Sequence, residues 1–297
     1  MARIALIGPG AIGGTVCAAL VAAGHDVQVC AHQMFTTLTL AKANGEIVST
    51  VPVSVVTDPK GARPADWVFV CVKAHQTPTA RPWLAQTVRA GTRVAVLQNG
   101  VEHRDRIAPF LPHGAEIVPI VVQLPAQRTA HGEITTYGGA SLIVGDGKAG
   151  LEFADLFSGT FVKIQVTDDF MTRQWEKLCL NASSGSISSL TLNPDAIATV
   201  PGLKELAKQI IAECIAVGRA EGAKLDDGYA DTLVEGFMSR TGNRGNSMYY
   251  DRLAGRMLEY DARNAVIVRL GKKHGIPTPV SAALVPLLRA LCPPSER

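Results

Sequence analysis

Through the first half of the chain, short apolar runs bounded by turn residues alternate with longer amphipathic stretches. Ala2–Ile7, Asp26–Cys30, Trp67–Val72 and Val94–Leu97 are near-continuous apolar runs, the pattern of strands buried on both faces rather than one. Ala11–Ala23, rich in Ala and Val, fits a helix between the first two. Strand and helix patterns in alternation predict a parallel sheet with helices on both faces. Between Gly45 and Val56 the alternation predicts a hairpin. Ile117–Gln123, Gly132–Tyr137 and Ser141–Val144 add strands among Gly-rich turns, expected on the edge of the same sheet.

After Asp168 the period changes. Amphipathic helical stretches run through Asp169–Ser189, Leu203–Glu221, Gly228–Arg240, Ser247–Leu253 and Leu258–His274, and strand patterns cease. Gly275 is placed as the C-cap of the last stretch, and Pro277 stops its continuation. An α/β domain over residues 1–167 followed by an all-helical domain over residues 168–297 is therefore expected, two domains being the natural division of 297 residues.

Composition narrows the function. Hydrophobic residues make up 47% and charged residues 19%, an ordinary globular balance. The net charge of +3, without a Lys/Arg block, gives nucleic acid no electrostatic footprint. Six scattered cysteines (Cys17, Cys30, Cys71, Cys179, Cys214, Cys292) contain no C-x-x-C pair and are expected as buried free thiols in a reducing compartment. Seven histidines show no metal-ligand spacing, so no metal is expected. Apolar runs are broken by charges and helix breakers before reaching a membrane span. An apolar strand beginning at Ala2 predicts no signal or transit peptide, and a cytoplasmic protein is expected.

Candidate chemistry begins at the first strand–helix turn, Gly8-Pro9-Gly10-Ala11-Ile12-Gly13. In G-x-G-x-x-G the first glycine permits the tight turn, the second lets a pyrophosphate approach the backbone, and the third lets helix and strand pack closely. The helix N-terminus then presents unsatisfied N–H groups to the phosphates. The preceding strand and following helix make this a dinucleotide-binding turn, hence a Rossmann doubly wound sheet. Cofactor choice is read at the end of the second strand, Val29-Cys30-Ala31-His32-Gln33. An NAD site usually has Asp or Glu there. None is present, which permits the adenosine phosphate of NADP and makes NAD the less favoured cofactor; His32 is the one candidate partner for that phosphate, or else an exposed loop residue.

Ligands in open parallel sheets bind outside the carboxyl ends of strands. Lys73 and Asn99-Gly100 stand at two such ends, read as lining the cofactor cleft or, separately, as a snorkelling lysine and an ordinary turn. In the helix entering the second domain, Lys177 and Asn181 are four apart and share a face, with Gly185 continuing the stripe; a solvated face would look the same.

The ordered set G-P-G-A-I-G (Gly8–Gly13), V-K-A-H-Q (Val72–Gln76), Q-N-G (Gln98–Gly100), W-E-K-L-C-L-N (Trp175–Asn181), N-S-M-Y-Y-D (Asn246–Asp251) and E-Y-D-A-R-N (Glu259–Asn264) spans nearly the whole chain and resembles the ketopantoate reductases (2-dehydropantoate 2-reductases). The resemblance implies that NADPH reduces a small 2-oxo acid between the two domains; separately, a homodimer joined through the helical domain is expected, since long apolar helices often need a partner. It implies that Lys177 is the general acid, and that Asn99, Asn181 and Ser247 hydrogen-bond the substrate. Lys73, with Gln76 and Asn99, would line the cofactor cleft, and Glu259 would position groups near the cofactor and the lysine. Two positions depart from the family. Gly185 stands where the family's helix usually carries a second Asn, so a contact to the substrate's distal hydroxyl is expected to be missing and the substrate to lack that hydroxyl. His32 stands where many members have Arg. Two other classes remain: a cofactor-binding sensor without turnover, against which the intact Lys177, Asn181, Ser247 and Glu259 count, and another two-domain hydroxyacid dehydrogenase sharing the glycine turn.

Overall fold

A computed structural model describes residues 1–239 and 244–294. Arg240, the expected end of one helix, and the last three residues of the expected helical domain lie outside the described residues. The chain divides into two compact units, Met1–Gln98 with His103–Phe170, and Asn99–Glu102 with Met171–Arg297. Four residues after a strand of the first unit thus belong to the second.

The strands of the first unit are β1 (Arg3–Ile7), β2 (Asp26–Cys30), β3 (Thr37–Lys42), β4 (Ile47–Pro52), β5 (Ser54–Val56), β6 (Trp67–Val70), β7 (Arg93–Val96), β8 (Glu116–Pro119), β9 (Val121–Gln123), β10 (Ala126–Ala130), β11 (Glu133–Thr136), β12 (Ala140–Gly145) and β13 (Val162–Thr167). Its helices are α1 (Ala11–Ala22), α2 (Arg81–Thr87), α3 (His103–Ile107) and α4 (Lys148–Asp155). Six strands form one sheet in the order β5-β2-β1-β6-β7-β8, every pair parallel. This is the doubly wound Rossmann order, which reverses direction between β1 and β6 and opens a crevice at their carboxyl ends.

Two expectations about strands are corrected. The hairpin lies earlier than the Gly45–Val56 alternation suggests: β3 and β4 pair antiparallel across a turn containing Gly45, and β5 joins β2 in the parallel sheet. Of the later strands only β8 extends that sheet. β10 and β11 join β3 and β4 in a separate four-stranded sheet, and β9, β12 and β13 form a third. The physical reason lies in α1, whose residues Gly13 to Leu20 are all buried. A helix apolar on every side must be covered on every side. The four-stranded sheet supplies the second cover: Leu38 and Leu40 are buried, and a Cβ built on Gly14 would strike Ile134 Cδ1.

The second unit holds α5 (Phe170–Thr191), α6 (Ala196–Thr199), α7 (Leu203–Ala220), α8 (Tyr229–Met238), α9 (Ser247–Leu253), α10 (Val266–His274) and α11 (Pro279–Ala290). Trp175, Leu178, Ile210, Ile211, Cys214, Val234, Met248, Val266, Ile267 and Leu288 form its core. The expected helix from Leu258 to His274 is interrupted: Asp261–Ala265 form a π-helical turn before α10. Gly275 takes the left-handed C-cap conformation (φ 67°). Beyond Pro277 the chain forms a further helix, which the hydrophobic pattern does not announce. Pro279 opens α11, and the Glu213 carboxylate on α7 accepts from the Val280 and Ser281 N–H groups at 2.7 and 2.8 Å. This cap comes from a residue 67 positions away, so local sequence carries no trace of it. All six cysteines are unbridged. Among the described residues no helix is long and apolar enough to cross a membrane.

Candidate active site

At the carboxyl end of the parallel sheet, the turn after β1 is built by close approach. Gly8 has φ 90°, and a Cβ there would lie 2.7 Å from Val72 Cγ1 and 2.9 Å from the Val72 nitrogen. Gly13 is more restricted still, since its Cβ would fall 2.2 Å from the Gly8 carbonyl oxygen and 2.9 Å from Cys71 Cβ. Gly10 differs: a Cβ built there meets nothing within 4 Å. It is also the N-cap of α1, with no side-chain cap and no acidic residue in the first turn. Open space over an uncapped helix N-terminus suits a phosphate group, so these residues fit a dinucleotide. Pro9, Ala11 and Ile12 complete the turn and are half-buried.

His32 is exposed just beyond β2, and Lys73 is half-buried just beyond β6. Gln76 closes the turn after Lys73, its Oε1 accepting from the Lys73 N–H at 3.3 Å. Beneath them, buried Gln98 ties two strand ends together. Its Nε2 donates to the Val72 carbonyl and to Thr77 Oγ1, each at 3.0 Å. The Gln98 carbonyl in turn accepts from His103 Nε2 at 2.7 Å.

Burial lowers the His103 imidazole from its ordinary value to about 4, against the opposing pull of the Gln98 carbonyl. In the unfolded chain the same group titrates near 6.5. Between those values the unfolded state holds more protons, so stability is complete above about pH 6.5 and falls as pH drops toward 4, by up to ~3 kcal/mol. Thermal melts at pH 7 and 4.5 should show a smaller acid-induced fall in Tm for His103→Gln than for the wild type; equal falls would contradict this role.

The helical unit carries a string of polar groups. Asn99 Nδ2 donates to Glu259 Oε2 at 2.9 Å, and Asn181 Nδ2 donates to Asn99 Oδ1 at 3.1 Å. Arg263 Nη2 donates to the same Glu259 oxygen at 2.9 Å and to Ser247 Oγ at 2.7 Å. A carboxylate only accepts, so Glu259 fixes the amide of Asn99, which fixes that of Asn181. The Asn181 oxygen is then left for a different donor. Glu259 and Arg263 are 3% and 1% exposed, a desolvated ion pair whose members each need the other.

The structure therefore brings Asn99, Asn181, Ser247 and Glu259 into one network, with half-buried Lys177 one turn before Asn181 on α5. The glycine turn, His32, Lys73 and Gln76 lie in the other unit. Two residues that the motifs contain but do not single out, Gln98 and Arg263, also belong to this machinery. The spacing of Glu259 and Arg263, four apart on a helix, is the available signal, but such pairs are usually exposed and weak.

A six-stranded parallel sheet with a dinucleotide-type glycine turn, followed by a helical unit rich in buried polar groups, defines the class of two-domain oxidoreductases. Within that class the chain matches the model of "Ketopantoate reductase PanE/ApbA" over residues 4–149 and that of its C-terminal part over residues 169–291. A 2-dehydropantoate 2-reductase of Caulobacter vibrioides is 42% identical over 98% of this chain and 99% of its own length. One from Mycobacterium tuberculosis is 41% identical over 97% of both. The crystal structure of 2-dehydropantoate 2-reductase from Geobacter metallireducens superimposes with a TM-score of 0.89 at 29% identity, covering 97% of this chain and 99% of that one. The chain belongs to the ketopantoate reductase family.

Proposed function

We propose that this protein reduces 2-dehydropantoate, or a closely related small 2-oxo acid, to the 2-hydroxy acid with NADPH. The observation that carries the reading is the Glu259–Asn99–Asn181 string, which ends one helical turn from Lys177. When bound, the nicotinamide supplies hydride to the carbonyl carbon. Lys177, as an ammonium, donates a proton to the carbonyl oxygen and offsets its developing charge. Asn181, Asn99 and Ser247 hold the carboxylate and hydroxyl of the acid. Glu259 keeps the amides oriented. Residues 1–167, apart from Asn99–Glu102, are assigned to the dinucleotide and 168–297 to the substrate, with Lys73 and Gly8–Gly13 on the cofactor side.

For the cofactor, β2 ends without Asp or Glu, and His32 is exposed there. A 2′-phosphate meets no carboxylate at that position, which favours NADPH over NADH. A homodimer in a reducing compartment completes the proposal. Leu192, Val200, Met238, Leu253 and Leu287, all in the helical unit, are each more than 40% exposed and offer apolar surface to a second copy.

Purified protein tested with NADPH and NADH against a panel of 2-oxo acids should show its highest kcat/KM with NADPH and 2-dehydropantoate. Cofactor binding without oxidation by any acid would favour a sensor instead. Equal use of NADH would remove the cofactor preference and leave the reductase.

A further inference from the structure

Arg263 is almost fully buried, yet only one of its three nitrogens is engaged. Nη2 serves both Glu259 and Ser247. Nε is buried without an acceptor, and Nη1 makes no hydrogen bond among the described residues. A guanidinium has five N–H donors, and leaving buried ones unmatched is unfavourable. The neighbourhood of Nη1 shows why the space exists. A Cβ built on Gly185 would lie 3.5 Å from Nη1 and 3.3 Å from Met248 Sδ. The guanidinium occupies the room that a side chain at 185 would take. Gly185 is one helical turn, about 6 Å, beyond Asn181 along α5, away from Lys177, so an acceptor at that end belongs to the part of a ligand remote from its reacting carbonyl.

We propose that Arg263, through Nη1 in the space left by Gly185, is the donor that recognises the distal hydroxyl of the substrate. The inference rests on the reading of the protein as a reductase of a hydroxylated 2-oxo acid, and it reverses the expectation that Gly185 leaves that hydroxyl unread. A neutral hydroxyl suits this donor better than a second carboxylate does. Glu259 already balances the guanidinium charge, and another anion on the same cation would be repelled. Ser247, whose Oγ accepts from Nη2, keeps its own O–H to donate nearby.

The test compares 2-dehydropantoate with its deoxy analogue, which has hydrogen in place of the terminal hydroxyl. Arg263→Lys keeps a cation beside Glu259 but removes the Nη1 arm and disturbs the Nη2 contacts to Glu259 and Ser247. Its kcat/KM should fall for both acids, because Glu259 and Ser247 lose contacts too, but roughly 10–100-fold further for 2-dehydropantoate than for the deoxy analogue. Gly185→Ala, which changes no charge, covers Nη1 with a methyl group and should erode the same preference, so the inference remains testable if the lysine variant fails to fold. Equal losses on both acids in the variants, or an unchanged preference, would overturn it, as would a wild type that turns over both acids equally well. A wild type that reduces neither acid would instead refute the reductase reading itself.

Discussion

Lys177→Ala is expected to lower kcat by roughly 10²–10⁴-fold, the usual contribution of a positioned general acid, while the Kd for NADPH changes by no more than about threefold. The lysine is half-buried within the 22-residue helix α5. Alanine is the strongest helix former, so the exchange leaves the helix's intrinsic preference intact, and a thermal melt near the wild-type value would show that lost turnover is not lost structure. Lys177→Arg keeps the positive charge but donates a proton far less readily. It should therefore resemble the alanine variant in single-turnover hydride transfer. Alanine turnover within about tenfold of wild type would remove Lys177 as the acid.

The glycine turn gives the second large effect, through a contrast between two positions three residues apart. At Gly13 a methyl group would lie 2.2 Å from the Gly8 carbonyl oxygen. The strand–helix junction has to open to admit it, and Gly13→Ala should cost about 1–3 kcal/mol of stability, the usual range for overpacking. Cofactor binding should be lost with the turn. At Gly10 nothing of the protein lies within 4 Å of the added methyl, and φ is −76°, a value open to any residue. Gly10→Ala should change stability by less than about 1 kcal/mol and still weaken NADPH binding by about tenfold or more, because the methyl stands where the pyrophosphate is expected. Denaturant melts and fluorescence titration with NADPH separate the two outcomes. Full NADPH affinity in Gly10→Ala would move the phosphate site elsewhere.

What is legible in the chain is whatever depends on neighbours in sequence. Asp26–Cys30 and Ser247–Leu253 form the strand and the helix that their patterns predict, and the turn at Gly8–Gly13 lies between a strand and a helix as its spacing requires. The strands β9, β11 and β12, which lie in two separate sheets, look like one edge of the parallel sheet in the sequence because alternation shows that a face is covered, not by which element. The same limit hides α11, whose N-terminus is held by Glu213 from another helix. In the helical unit, the motifs point to Lys177, Asn181, Ser247 and Glu259. They do not point to Arg263, because an i, i+4 Glu–Arg pair on a surface and the same pair at 1–3% exposure are one string of letters. Gly185, as a letter, suggests only a missing hydrogen bond, since a glycine says nothing of which neighbour fills its space.

The excursion of Asn99–Glu102 makes the two halves of the polypeptide inseparable at a single cut. Asn99, fixed by Glu259, orders Asn181; the Val101 carbonyl accepts from Gln174 Nε2 at 3.4 Å, and Glu102 pairs with Arg269 at 2.7 Å. A fragment beginning at Met171 would carry α5 to α11 but none of these four residues. Gene fusions or truncations that treat the C-terminal half as a cassette would thus produce helices with a gap in their polar network, and domain shuffling among relatives has to transplant the short N-terminal segment along with the helices it completes.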